Sequence, residues 1–155
     1  MNKELMEFHF YDSDSFEVGY IISRNDKLIC ICNVSPDMQY DGITIRYIKD
    51  ILYVEKNTQY LSKLINNNIK PKTIDFDLVL ENILEYLKNR NILVEFSIDT
   101  NVLIGFIKNI DGEVVFMSTV DENGIYDGEV YFRKDDIESF DFDNVELRNI
   151  SKRVK

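Results

Sequence analysis

Shifted by 86 residues, the chain aligns with itself without a gap over 10–64 and 96–150, with ten identical residues in 55 positions. A repeat of this length limits the fold to two copies of one small supersecondary unit. Tyr40-Asp41-Gly42 falls on Tyr126-Asp127-Gly128, and Asp50-Ile51 on Asp136-Ile137. Gly19 falls on Gly105, Ile21 on Ile107, Val34 on Val120, Phe10 on Phe96 and Leu61 on Leu147. Other pairs keep their chemical character: Val18 with Ile104, Tyr20 with Phe106, Leu28 with Val114, Ile29 with Val115.

Each copy reads as five short strands. In the second, β-branched and aromatic residues mark strands over 91–98, 102–110, 113–120, 128–133 and 137–142. Gly105 suits a bent strand, and Asp111-Gly112 is a strong two-residue hairpin signal. The first copy predicts strands over 8–11, 18–23, 27–34, 42–47 and 51–55, with Asn25-Asp26 in the hairpin turn. Between the copies, Tyr60, Leu61, Leu64 and Ile65 share one helical face over 58–67. Asn66-Asn67-Asn68 and Pro71 end that helix, and Thr73 or Asp75 is positioned to cap a second one. Leu78, Val79, Ile83, Leu84 and Leu87 form its apolar face, and Asn89 to Asn91 close it. Val145, Leu147 and Ile150 suggest a short third helix.

The order of elements resembles a small β-barrel of the Sm-like or SH3-like type. Gly105 in the second strand, Asp111-Gly112 in the next turn and Arg133 to Ile137 between the last two strands carry the resemblance. It implies an α+β, mainly β fold of two tandem five-stranded barrels joined by helices. The boundaries expected are 1–56 for the first barrel, 57–90 for a helical connector, and 91–155 for the second barrel with a short C-terminal helix. The RNA-binding Sm pattern has an Asp and Asn pair after the second strand and an Arg-Gly near the fourth. Here the corresponding places read Asn123-Gly124 and Arg133-Lys134, so the resemblance does not carry RNA binding. Tyr-Asp-Gly followed by Asp-Ile, in a chain rich in Ile, Asn and Lys, is also similar to small proteins of low-GC bacteria.

Charge narrows the function. The 155 residues carry 28 acidic and 18 basic side chains, net −10, which disfavours nucleic acid and anionic lipid. The excess is not spread evenly: 111–146 holds twelve acidic residues against Arg133 and Lys134 alone. Such a surface attracts a cationic partner and speeds encounter with it. The expected interface is Asp121, Glu122, Tyr126, Asp127, Asp135, Asp136, Glu138, Asp141 and Asp143, with Tyr126 as an aromatic anchor.

Catalytic constellations are not visible. His9 is the single histidine; it alternates with Phe8 and Phe10 on a strand and is expected to face solvent. No Gly-x-Ser-x-Gly, phosphate-cradling glycine loop or His-Glu-x-x-His occurs. Asp121-Glu122-Asn123-Gly124 begins like a calcium loop, but Ile125 stands where a fifth-position ligand belongs. Cys30 and Cys32, two apart, read as buried thiols of a reduced, cytoplasmic protein without a cleaved leader. No catalytic residue, metal site or cofactor is therefore expected, and no spanning helix. The expected function is a non-enzymatic binding module, an inhibitor or immunity-type protein that occludes a basic partner. A small-ligand sensor with its site between the copies, and a scaffold that oligomerises through strand edges, are the alternatives.

Overall fold

A computed structural model describes residues 4–64 and 72–155. The chain divides into two compact units, Met1–Leu78 and Val79–Lys155. In the first unit the strands are β1 (Met6–Phe10), β2 (Phe16–Arg24), β3 (Leu28–Val34), β4 (Tyr40–Tyr47) and β5 (Ile51–Glu55). A single 3-10 turn, Ile48–Asp50, separates β4 from β5, and helix α1 (Gln59–Lys63) follows. The second unit opens with helix α2 (Leu80–Asn89), then β6 (Val94–Ile98), β7 (Asn101–Asp111), β8 (Val114–Val120) and β9 (Tyr126–Arg133). A second 3-10 turn, Lys134–Asp136, leads into β10 (Ser139–Phe142) and helix α3 (Val145–Arg153).

The two-barrel expectation is overturned. In each unit the five strands form an open antiparallel sheet, in the order β5-β1-β2-β3-β4 in the first unit and β10-β6-β7-β8-β9 in the second. Neither set of five closes on itself. Among the described residues, β5 is bonded along one side only, to β1, and β9 only to β8. Nor do the helices form a separate connector, since α1 belongs to the first unit and α2 to the second. The reason is that alternation and turn residues specify which strands follow one another. Closure needs a further pairing between strands four and five, which no local pattern encodes. After each 3-10 turn the short β5 and β10 cross over and pair with β1 and β6 instead.

The repeat is nonetheless written into the backbone. Ladder irregularities fall between Ile21 and Ser23 and between Ile107 and Asn109, 86 residues apart. Left-handed backbone recurs at Met38 and Gly124 and at Asn57 and Asp143, the same spacing with different residues. Gly19 and Gly105 are required by close approach. A Cβ there would lie 2.2 Å from the Cys32 carbonyl oxygen and 2.0 Å from that of Ser118.

Each unit has its own core. Phe8, Phe10, Ile29 and Ile31 pack together in the first, with Met6, Ile21, Ile48 and Ile51 around them. In the second, Leu93, Phe106 and Val120 receive Leu147 and Ile150 of α3. Helix α2 begins later than expected. Neither Thr73 nor Asp75 caps it; its N-cap is Val79, which makes no side-chain hydrogen bond there. At its other end Asn91 takes a left-handed conformation, Asn91 N–H bonds to Lys88 O and Ile92 N–H to Leu87 O, a Schellman closure. The expected end of the first helix, at Ile65 to Pro71, lies outside the described residues. Among the described residues, no helix is long and apolar enough to cross a membrane.

Candidate functional site

The nine acidic-interface residues come from three parts of the second unit. Asp121 and Glu122 stand in the loop before β9, and Tyr126 and Asp127 begin that strand. Asp135 and Asp136 lie past its other end, in the 3-10 turn. An eight-residue strand spans roughly 25 Å, so these groups bracket β9 rather than meet. Glu138, Asp141 and Asp143 belong to the β10 region, and β10 and β9 lie at opposite ends of the unit's five-strand order.

Local chemistry also separates them. The Asp121 carboxylate accepts hydrogen bonds from Asn123 N–H at 2.8 Å and Ile125 N–H at 3.0 Å, so it shapes the loop. Asp141 pairs directly with Glu95 across β10 and β6. Burial, then the charges of Asp141 and Glu146, push the Glu95 carboxyl up to about 7. Glu122, Tyr126, Asp127, Asp135, Asp136 and Asp143 are exposed. The two basic residues nearby offset little of this charge. Lys134 is buried, and Arg133 makes a 3.5 Å ion pair with Asp136.

β9 is the most open strand of the second unit. Its outer face carries Asp127, Glu129, Tyr131 and Arg133, all exposed. Phe132, on the other face, packs against Phe96 at 5.2 Å between ring centroids. Tyr131 leans on Phe116 at 4.7 Å, and together with Lys108, Asn109, Met117, Ser118 and Glu129 they line a shallow cavity of about 210 Å³. The two Tyr-Asp-Gly copies have diverged in use. In the first unit Tyr40 is half-buried with the Lys72 ammonium 4.3 Å over its ring, and Gly42 has φ +90°. In the second unit Tyr126 is 51% exposed, and Gly128 does not share the positive φ of Gly42.

A second constellation, in the first unit, escaped sequence reading. Pairing with β2 and β5 sets Val18, Glu7 and Glu55 in one row, and Phe16, His9 and Tyr53 in the next. Phe8 and Phe10 point to the core, so His9 faces the other side as expected. It is not open to solvent, however: its side chain is only 17% exposed. Tyr53 stacks on its ring at 4.2 Å and Phe16 flanks it at 5.2 Å, with Tyr60 edge-on to Phe16. Glu7, also buried, accepts a hydrogen bond from the Thr58 hydroxyl. That oxygen also caps α1 by accepting from Leu61 N–H. One ligand atom from each of Glu7, His9 and Glu55 lies within 4.8 Å of the others. The usable signal was Glu7 and His9 at i and i+2 on one strand face. Glu55 could be added only from the β1–β5 register.

No protein-family model, curated protein or solved structure matches this chain.

Proposed function

We propose that the second unit is a non-enzymatic protein-binding module, of the inhibitor or immunity type, that receives a Lys- and Arg-rich segment of a partner along β9. One observation carries this reading: among the described residues β9 is bonded on one side only, and it presents exposed Tyr126 and Tyr131 together with Asp127 and Glu129. An open edge supplies unpaired backbone groups for an added strand. Tyrosines give rigid contact area, and the carboxylates select a cationic partner over a neutral one. The buried, unpaired thiols Cys30 and Cys32 agree with a reducing compartment, and we place the interaction in the cytoplasm.

The test is retention of proteins from a source-cell lysate at low and high salt, repeated with the Asp127→Asn/Glu129→Gln variant. A basic protein held by the native chain at low salt, and lost from the variant, is the expected result. Equal retention by both at either salt would sink the proposal. A second reading, assembly of identical copies through strand edges, is favoured by β5, where Leu52, Tyr53 and Val54 are exposed on a strand bonded only to β1. Light scattering that reports a monomer across a wide concentration range would remove it.

A further inference from the structure

The Glu7–His9–Glu55 constellation has a charge arrangement that ordinary packing does not explain. Glu7 and Glu55 are direct cross-strand partners, and like charges placed opposite one another are destabilising. Glu7 is 5% exposed, so water does little to screen it. His9 Nε2 lies 3.1 Å from Glu55 Oε1, yet among the described residues this buried nitrogen has no hydrogen-bond partner. Buried polar atoms are satisfied in the great majority of cases, and an exception calls for a cause. A small cation between the three groups would supply it.

We propose that Glu7, His9 and Glu55 form a zinc site, in which His9 Nε2 and one oxygen from each carboxylate hold the ion. Adjacent ligands around a tetrahedral zinc stand about 3.3 Å apart, given bonds near 2.0 Å. The 3.1 Å approach of His9 to Glu55 already matches that edge, and Glu7 needs only a modest side-chain adjustment from within 4.8 Å. Imidazole with carboxylates suits zinc, whereas calcium and magnesium take oxygen ligands. The support around the ligands is of the kind metal sites use. Thr58 fixes Glu7, and Tyr53 and Phe16 hold the imidazole plane. Three protein ligands leave a fourth position for water. Glu55, 46% exposed, opens the site to solvent.

The single histidine makes the test specific. The full chain, stripped with a chelator, is titrated with Zn²⁺ by calorimetry while the His9 ring resonances are followed by NMR. One equivalent bound, a shift of the His9 resonances, and at least tenfold weaker binding in both His9→Gln and Glu55→Gln are expected. Glu55 is a partly exposed edge residue, so Glu55→Gln retains the fold and serves as the deciding variant if His9→Gln unfolds. Co²⁺ in place of Zn²⁺ should give the visible bands of a tetrahedral site. No stoichiometric binding, binding that leaves His9 unmoved, or equal affinity in Glu55→Gln would overturn the proposal; a proton alone would then satisfy the cluster.

Discussion

Glu95 shows how one residue can set the pH response of a unit. Its carboxyl is pushed from about 4.5 to about 7, first by burial and then by Asp141 and Glu146. The folded chain therefore holds a proton between those values that the unfolded chain has released. By linkage, this group's contribution falls as pH rises through 7, so stability increases from pH 8 toward pH 5. Glu95→Gln removes the titration. It should raise the denaturation midpoint at pH 8, with the gain shrinking as pH approaches 5. Parallel curves for the two proteins would refute the assignment. The glycines give a second test at this scale. Gly105→Ala drives a Cβ to 2.0 Å from the Ser118 carbonyl oxygen and should cost about 3 kcal/mol, the upper end for overpacking. Gly112 has open space around it but a φ of +57°, so Gly112→Ala should cost only about 1 kcal/mol of backbone strain. Urea unfolding measures both, and the order of the two costs is the critical outcome.

Elements were legible where local patterns decide them. Alternation and turn residues located all ten strands, because pairing of successive strands is a nearest-neighbour property. The turns themselves were partly legible: Asn25 organises its hairpin by accepting from Lys27 and Leu28 N–H, at 2.9 and 2.8 Å. The start of α2 was not, because Thr73 and Asp75 look like caps while the helix begins at Leu80 behind an uncapped Val79. Barrel closure was misread, since it depends on whether the last strand meets its predecessor. The zinc cluster was hidden for a related reason. His9 could be placed on a strand face, but its neighbours Tyr53 and Glu55 arrive only through long-range register. One element-scale equivalence is directly testable. Thr58 caps α1 by accepting from Leu61 N–H, and Asn144 caps α3 by accepting from Leu147 N–H, 86 residues later. Asn144→Ala should cost about 1 kcal/mol, a typical cap loss. Thr58→Ala should cost more, because it also removes the donor to buried Glu7, and Thr58→Ser should restore most of the loss. Equal costs for the two alanine variants would show that the Glu7 contact contributes nothing.

For the whole molecule, open sheets pose a problem that two closed barrels would not have. Strands bonded on one side only are templates for unwanted pairing, and charged side chains are a common defence. β9 carries Asp127, Glu129 and Arg133 on its exposed face, inside a segment of twelve acidic and two basic residues. Copies of this edge would therefore repel one another, while the proposed function has a cationic segment drawn in. On the proposed function, the same carboxylates would serve both ends, keeping β9 available and choosing what occupies it. The Asp127→Asn/Glu129→Gln variant should then change in two ways at once. Its salt-sensitive retention of a basic partner should be lost, and its weight-average mass at low salt should rise with concentration beyond that of the native chain. Sedimentation equilibrium over a range of concentrations measures the second effect without knowledge of the partner. If the variant associates no more than the native chain, charge is not what keeps this edge open, and geometry, such as the irregularity between Thr119 and Val120 opposite the start of β9, must do so instead.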